Sequence, residues 1–219
     1  KYGITTIELF AQLGIQLQGK SIEEVQKSFH TNGFAFVYQP DHFPLAESLI
    51  QYRNEIGKRP TLATLELLWT THQGKHLLIS GFVHPATENL ALDTLNLIGE
   101  KNFCLIKGLE GGIDLPISKR SILRKTEDRQ LGRTILEASK YNLSGKDLPW
   151  ESLEEWHKNA LEALKYKGPM KESLIWNAGI YLWICGHSSS PSEGIKSVTS
   201  SIKSGLVEDT LQRLIHWKA

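Results

Sequence analysis

The sequence predicts an α/β fold: a largely parallel central sheet covered by helices on both faces, with an edge β-hairpin and C-terminal helices. Three observations carry this expectation. Residues 76–83 and 103–107 are short, strongly apolar runs, the texture of strands buried on both faces. Stretches of helical spacing alternate with them, as in strand–helix–strand crossovers. Residues 150–219 then carry only helical patterns.

Taken in order, residues 4–14 place Ile4, Ile7, Leu9, Phe10 and Leu13 at helical spacing and stop at Gly14. Ser21 followed three residues later by Glu24 is a capping box, and the helix it opens should end near Asn32 and Gly33. Residues 34–38 are aromatic and β-branched, which predicts a strand closed by Pro40. Residues 44–56 and 61–69 read as helices, the first ended by Gly57 and the second following Pro60. The strand 76–83 leads to a helix over 85–98 and then to the strand 103–107. These two strands should lie side by side, parallel and central, since a right-handed crossover needs a helix of that length. The polar, alternating segments 117–125 and 132–138, joined through 126–131, predict the hairpin. Helices follow at 150–166, 171–185, 191–204 and 207–217, and the second of them is nearly all apolar. Such strands and such a helix should let the chain fold by itself.

In a parallel sheet, ligands gather beyond the carboxyl ends of the strands. That directs attention to residues 39–44, 84–88 and 108–116.

The 219 residues suit one α/β domain over 1–219, and 40% hydrophobic with 22% charged residues is ordinary for a chain with a real core. A formal charge of +1 gives no global field toward nucleic acid or an anionic membrane. No apolar run is long enough to cross a bilayer, and no signal-peptide pattern opens the chain. Cys104 and Cys185 both sit among apolar residues and read as buried structural thiols, which fits a cytoplasmic protein. Residue 1 is Lys and the one Met is Met170, so further sequence is expected upstream.

Five stretches, in order, resemble the α/β domain of the anthranilate phosphoribosyltransferase family (glycosyltransferase family 3). Lys1, Tyr2 and Gly3, with the helix that ends at Gly14, are similar to its Lys-His-Gly segment. FAFVYQPDHFP at 34–44 resembles its Phe-X-Phe-Ala-Pro-X-Tyr-His-Pro segment. Arg53, Asn54, Glu55, Ile56 and Gly57, with Arg59, resemble Arg-X-X-Leu-Gly-X-Arg-Thr. KGLEGGIDLPIS at 107–118 is similar to His-Gly-X-Asp-Gly-Leu-Asp-Glu-X-Ser, and WNAGIYLWICG at 176–186 to Leu-Asn-Ala-Ala-X-X-Leu-X-X-X-Gly. The chain departs from the family where the metal-binding Asp-Glu pair becomes Asp114 and Leu115, where His before Pro becomes Phe43, and where the phosphate-covering loop after Gly3 is replaced by a helix.

The resemblance implies a pentosyl-group transferase of the kind used in tryptophan biosynthesis. Its donor would be phosphoribosyl pyrophosphate and its acceptor a small aromatic or amine compound. It implies Mg at Asp114, which would share the ion with Glu110 or be a plain turn aspartate; Leu115 cannot ligate a hard cation. Substrate-binding positions carried over are Arg53, Arg59, His42 and Lys1. Arg53 would grip a carboxylate bidentately, or be a plain helix arginine; Arg59 would join it, or cap the helix ending at Gly57. His42 and His84 both follow expected strands, and each also reads as a loop histidine without a catalytic role. A helical N-terminal domain, through which the family forms homodimers, would lie outside this chain, and the isolated fragment should be inactive. The second reading is a non-catalytic nucleic-acid-binding protein on the same scaffold. It would use the basic stretch of Lys119, Arg120, Arg124, Lys125, Arg129 and Arg133, which also reads as a solvated hairpin.

Overall fold

The computed structural model describes residues 3–56, 65–127 and 130–217. Both expected caps open their helices. Helix α1 (Thr6–Gln12) starts on Thr5, whose N–H donates to Glu8 Oε2 at 2.7 Å. Helix α2 (Ile22–Asn32) starts on Ser21, whose N–H meets Glu24 Oε2 at 2.7 Å, and it ends on Gly33 at φ 68°. That left-handed turn costs a glycine little.

The strand expected at 34–38 does not form. The Ser28 hydroxyl donates to the Phe34 carbonyl at 2.8 Å, and Phe34 and Phe36 pack on Phe10 with ring centroids 5.5 and 5.9 Å apart. Tertiary packing on α1 and α2 overrides the strand propensity of the aromatic run. The Tyr38 carbonyl then accepts from the Asp41 and His42 N–H groups, which starts helix α3 (Gln39–His42) with Pro40 in its first turn. The helix expected over 44–56 divides into α4 (Pro44–Glu47) and α5 (Ile50–Ile56). At the break the Ser48 hydroxyl donates to the Leu45 carbonyl at 2.7 Å, a local bond that competes with the helical ladder. Of the helix expected at 61–69, residues 61–64 lie outside the described residues, and in 65–69 only Leu65 is helical before the chain turns.

Strand β1 (Leu78–Gly81), helix α6 (Pro85–Leu97) and strand β2 (Phe103–Lys107) make the expected parallel crossover, with Leu78 opposite Phe103 and Gly81 opposite Ile106. Strands β3 (Ser121–Glu127) and β4 (Gln130–Leu136) form the hairpin, and the sheet order is β1-β2-β3-β4. Two expectations need correction. The sheet is mixed rather than largely parallel, because β2–β3 and β3–β4 are antiparallel. And β1 is the outermost strand of the described sheet, not a central one, because residues 34–38 do not pair beside it.

The core follows from the two-residue period of β2. Cys104 and Ile106 face helices α8 (Lys171–Ile184) and α9 (Pro191–Lys203), where Ile175, Trp176 and Ile180 are buried with them. Phe103 and Leu105 face α6, packing with Leu78, Ala91 and Leu95. Both faces of the sheet are therefore covered. Helices α8 and α9 touch through backbone: a Cβ on Gly179 would stand 2.7 Å from Ile195 Cα, and one on Gly194 would collide with the Gly179 carbonyl. Helices α7 (Leu153–Leu164) and α10 (Leu206–His216) complete the carboxyl-terminal set. Cys104 is fully buried, as expected; Cys185 is exposed, because it sits one residue past the last turn of α8. Among the described residues no helix is long and apolar enough to cross a membrane.

Candidate functional site at the carboxyl end of the sheet

Strand β2 runs out into residues 108–116, which fold back over the end of β1. Glycine makes this contact. A Cβ on Gly81 would collide with the Gly111 carbonyl and stand 2.7 Å from Gly112 C. One on Gly108 would stand 2.6 Å from the Asp114 carbonyl oxygen. Gly111 also takes φ +81°, a region that side chains rarely adopt. The loop is closed by Leu109 N–H donating to the Asp114 carbonyl at 2.8 Å and Gly112 N–H donating to the Leu109 carbonyl at 2.7 Å.

Helix α8 then holds the loop's far end. Asn177 Oδ1 accepts from Leu115 N–H at 2.7 Å, while its amide donates to the carbonyls of Leu115 and Ser173, each at 3.0 Å. The Tyr181 hydroxyl donates to the Ile113 carbonyl at 2.7 Å. Burial, with a further push from the Asp114 carboxylate, raises the Tyr181 phenol far above its ordinary range, so it remains a donor. Asp147 accepts from Ile117 N–H at 2.8 Å and from the Ser118 hydroxyl. Asn177, Tyr181 and Asp147 were not singled out as site residues from the sequence. The signal that existed was Asn177 itself, a polar residue in a nearly apolar helix that had to find buried partners.

Asp114 and Glu110 present exposed carboxylates on this one loop, and Glu110 takes a left-handed backbone at φ 50°. Leu115, in the place of the second carboxylate suggested by the resemblance, is 1% exposed and belongs to the core. Among the described residues no group of three or more His, Cys, Asp or Glu stands together to hold a metal unaided. The donor set fits magnesium in the mode where one or two carboxylates share the ion with water and phosphate oxygens.

The other expected residues have surroundings of their own. His42 ends α3; its Nδ1 is 2.9 Å from the Tyr38 carbonyl and its Nε2 is buried without a hydrogen-bond partner. It lines a cavity of about 1110 Å³ with Phe29, His30, Phe34, Phe43 and His72, and neither Arg53 nor Asp114 is part of that lining. Arg53, on α5, points its guanidinium at Glu66, 3.6 Å away. His84 starts α6, its N–H donating to Thr87 Oγ1 at 3.0 Å. Lys1 and Arg59 lie outside the described residues, as does Arg129 of the basic stretch. Within that stretch Arg124 is paired with Glu88 at 2.9 Å.

In α/β sheets ligands gather beyond the carboxyl ends of the strands, and the 108–116 loop lies there, after β2 and against the end of β1. Residues 5–207 match the model of the glycosyl transferase family, a/b domain, and the chain belongs to that family. Among curated relatives, the anthranilate phosphoribosyltransferase of Ralstonia pickettii (strain 12J) is 24% identical over 197 residues, covering 88% of this chain and 57% of the relative. The fold matches that of the Saccharomyces cerevisiae anthranilate phosphoribosyltransferase solved with 4-fluoroanthranilate, with a TM-score of 0.82 at 17% identity, over 95% of this chain and 61% of that one. The same yeast enzyme in complex with PRPP and Mg gives a TM-score of 0.80 at 17% identity, over 95% and 59% of the two chains. The chain thus spans about three fifths of the length of the relatives it matches.

Proposed function

We propose that this chain is the α/β part of a phosphoribosyltransferase that takes phosphoribosyl pyrophosphate as donor and a small aromatic or amine compound as acceptor. The observation that carries the reading is the 108–116 loop: its backbone is packed so tightly on Gly81 that Asp114 and Glu110 are set on a rigid rim. In the reaction the acceptor nitrogen attacks the ribose C1 while the pyrophosphate leaves with the bonding electrons, so the protein's task is to hold phosphate and its counter-ion in place. Asp114, with Glu110, would hold magnesium jointly with the donor's phosphates. Arg53 would orient an acidic acceptor by exchanging its ion pair with Glu66, whose two side chains are only 19% and 16% exposed, for one with the acceptor's carboxylate. His42, with the aromatic rings beside it, would line the path of the acceptor, and Arg59 and Lys1 would add positive charge. Leu115 removes one metal ligand, so the 219 residues alone are expected to leave anthranilate unconsumed in a fluorescence assay.

Calorimetric titration with phosphoribosyl pyrophosphate tests the reading. Binding should require magnesium and should weaken about tenfold or more in Asp114→Ala, a loss of about 1.4 kcal/mol. Binding that is indifferent to magnesium and to Asp114 would remove the basis for the assignment.

A further inference from the structure

A second polar cavity, of about 510 Å³, lies beside the hairpin, between the segment entering β3 and the segment leaving β4. Ser121 pairs with Leu136 in register, so residues 117–120 and 137–145 leave the sheet side by side. Asp147 fixes the first wall by accepting from Ile117 N–H and the Ser118 hydroxyl. Ile117 and Leu143 are buried and make an apolar floor, and Gly145 lies close against it, since a Cβ there would stand 3.4 Å from Ile117 Cδ1. The rim carries Lys119, Arg120, Ser139 and Ser144.

The charges here do not cancel. Glu137 also lines the cavity, but it is 3.1 Å from Lys140 Nζ, and Asp147 is spent on the backbone and Ser118. Among the described residues no carboxylate pairs with Lys119 or Arg120. Two free cations and two serine hydroxyls around a walled, apolar-floored cavity are donors without an acceptor.

We propose that this cavity is a binding site for the phosphate or diphosphate group of a small phosphorylated compound. Its volume lies within the range of about 300–1,000 Å³ usual for small-molecule sites. A nucleic acid would instead need a continuous basic stripe along the hairpin, and Arg124, the next cation along β3, is committed to Glu88. The inference stands apart from the transferase reading, since none of these residues belongs to the Asp114 loop.

The test is calorimetry of the 219-residue chain with inorganic pyrophosphate at low ionic strength and without magnesium. Saturable one-to-one binding is expected. Lys119→Ala with Arg120→Ala should weaken it by about tenfold or more. Arg133→Ala, which removes an exposed cation from β4, should leave it unchanged, and so should Asp114→Ala, which keeps this test separate from that of the transferase site. Absence of saturable binding would overturn the proposal. So would equal losses in the Arg133 and Lys119/Arg120 variants, or a single-stranded oligonucleotide that binds more tightly than pyrophosphate and depends on Arg133. Matching circular dichroism and melting curves for the variants keep a folding defect from standing in for any of these results.

Discussion

Asn177 shows how one side chain can decide the shape of a site. Its amide satisfies both the N–H and the carbonyl of Leu115, and no water-accessible substitute is at hand because Leu115 is buried. Asn177→Leu should therefore cost about 1–3 kcal/mol, the penalty for leaving buried backbone groups unpaired. Urea denaturation checks it, and an unchanged midpoint would mean that the loop is held by something else. A different pair, His76 and Glu100, ties the start of β1 to the residues before β2, with Nε2 and Oε2 2.9 Å apart. The Gly74 carbonyl and then Glu100 raise His76 above its usual value. Glu100 feels burial, which pushes it up, but N–H donation from Asn102 and Lys101 and the His76 contact outweigh this and lower it. The signs follow by linkage. His76 adds stability that is complete below the ordinary histidine value and disappears as pH rises through its raised folded value. Glu100 adds stability that is complete above the ordinary carboxylate value and disappears as pH falls through its lowered folded value. The melting temperature should thus fall as pH rises past the raised His76 value, and His76→Gln should flatten that limb. An identical slope in the variant would show that the pair contributes nothing. Residue partners of this kind could not be read in advance: His76 and Glu100 are 24 positions apart, and only the parallel crossover brings them together.

Helices were legible where their signals were local. The Ser21–Glu24 capping box and Gly33 delimited α2 from the sequence alone, because both act within one turn. The run at 34–38 was read as a strand and is not one, since what fixes it is Phe10, some 24 residues earlier, and the Ser28 hydroxyl. The same loss moved β1 to the outside of the described sheet. At the break between α4 and α5 the Ser48 hydroxyl bonds the Leu45 carbonyl, a local contact that spacing does not reveal. At the α8–α9 crossing the apolar pattern announced a buried helix but not the closeness of its approach. Gly179→Ala should cost about 1–3 kcal/mol by overpacking against Ile195. Gly186→Ala has open space around its Cβ and would suffer only from its positive φ, so it serves as the comparison. Chemical denaturation of both variants separates packing from backbone strain. A Gly179 variant as stable as the parent would show that the helices do not meet there.

The whole molecule was read best of all, because an order of five weak motifs survives errors in any one of them. The family followed from that order, and residues 5–207 match accordingly, while the α/β class followed from the apolar runs at 76–83 and 103–107 and the helical spacing between them. The site was legible in part. The glycines of the 108–116 loop and Asp114 announced it, but the inward turn of Leu115 and the clamp from Asn177 depend on how α8 packs across the sheet. Two buried clusters on opposite faces of one sheet should melt together, so a single cooperative thermal transition is expected by circular dichroism and by tryptophan fluorescence. Separate transitions by the two probes would mean that the faces are independent. The central claim is that the loop after β2 meets magnesium and phosphate. The most direct measurement replaces magnesium with manganese, which favours the same oxygen ligands, and follows paramagnetic broadening of backbone amide resonances. With phosphoribosyl pyrophosphate present, the account predicts broadening centred on residues 108–114 and its loss in Asp114→Ala. Broadening centred elsewhere, or undiminished by that substitution, would contradict it.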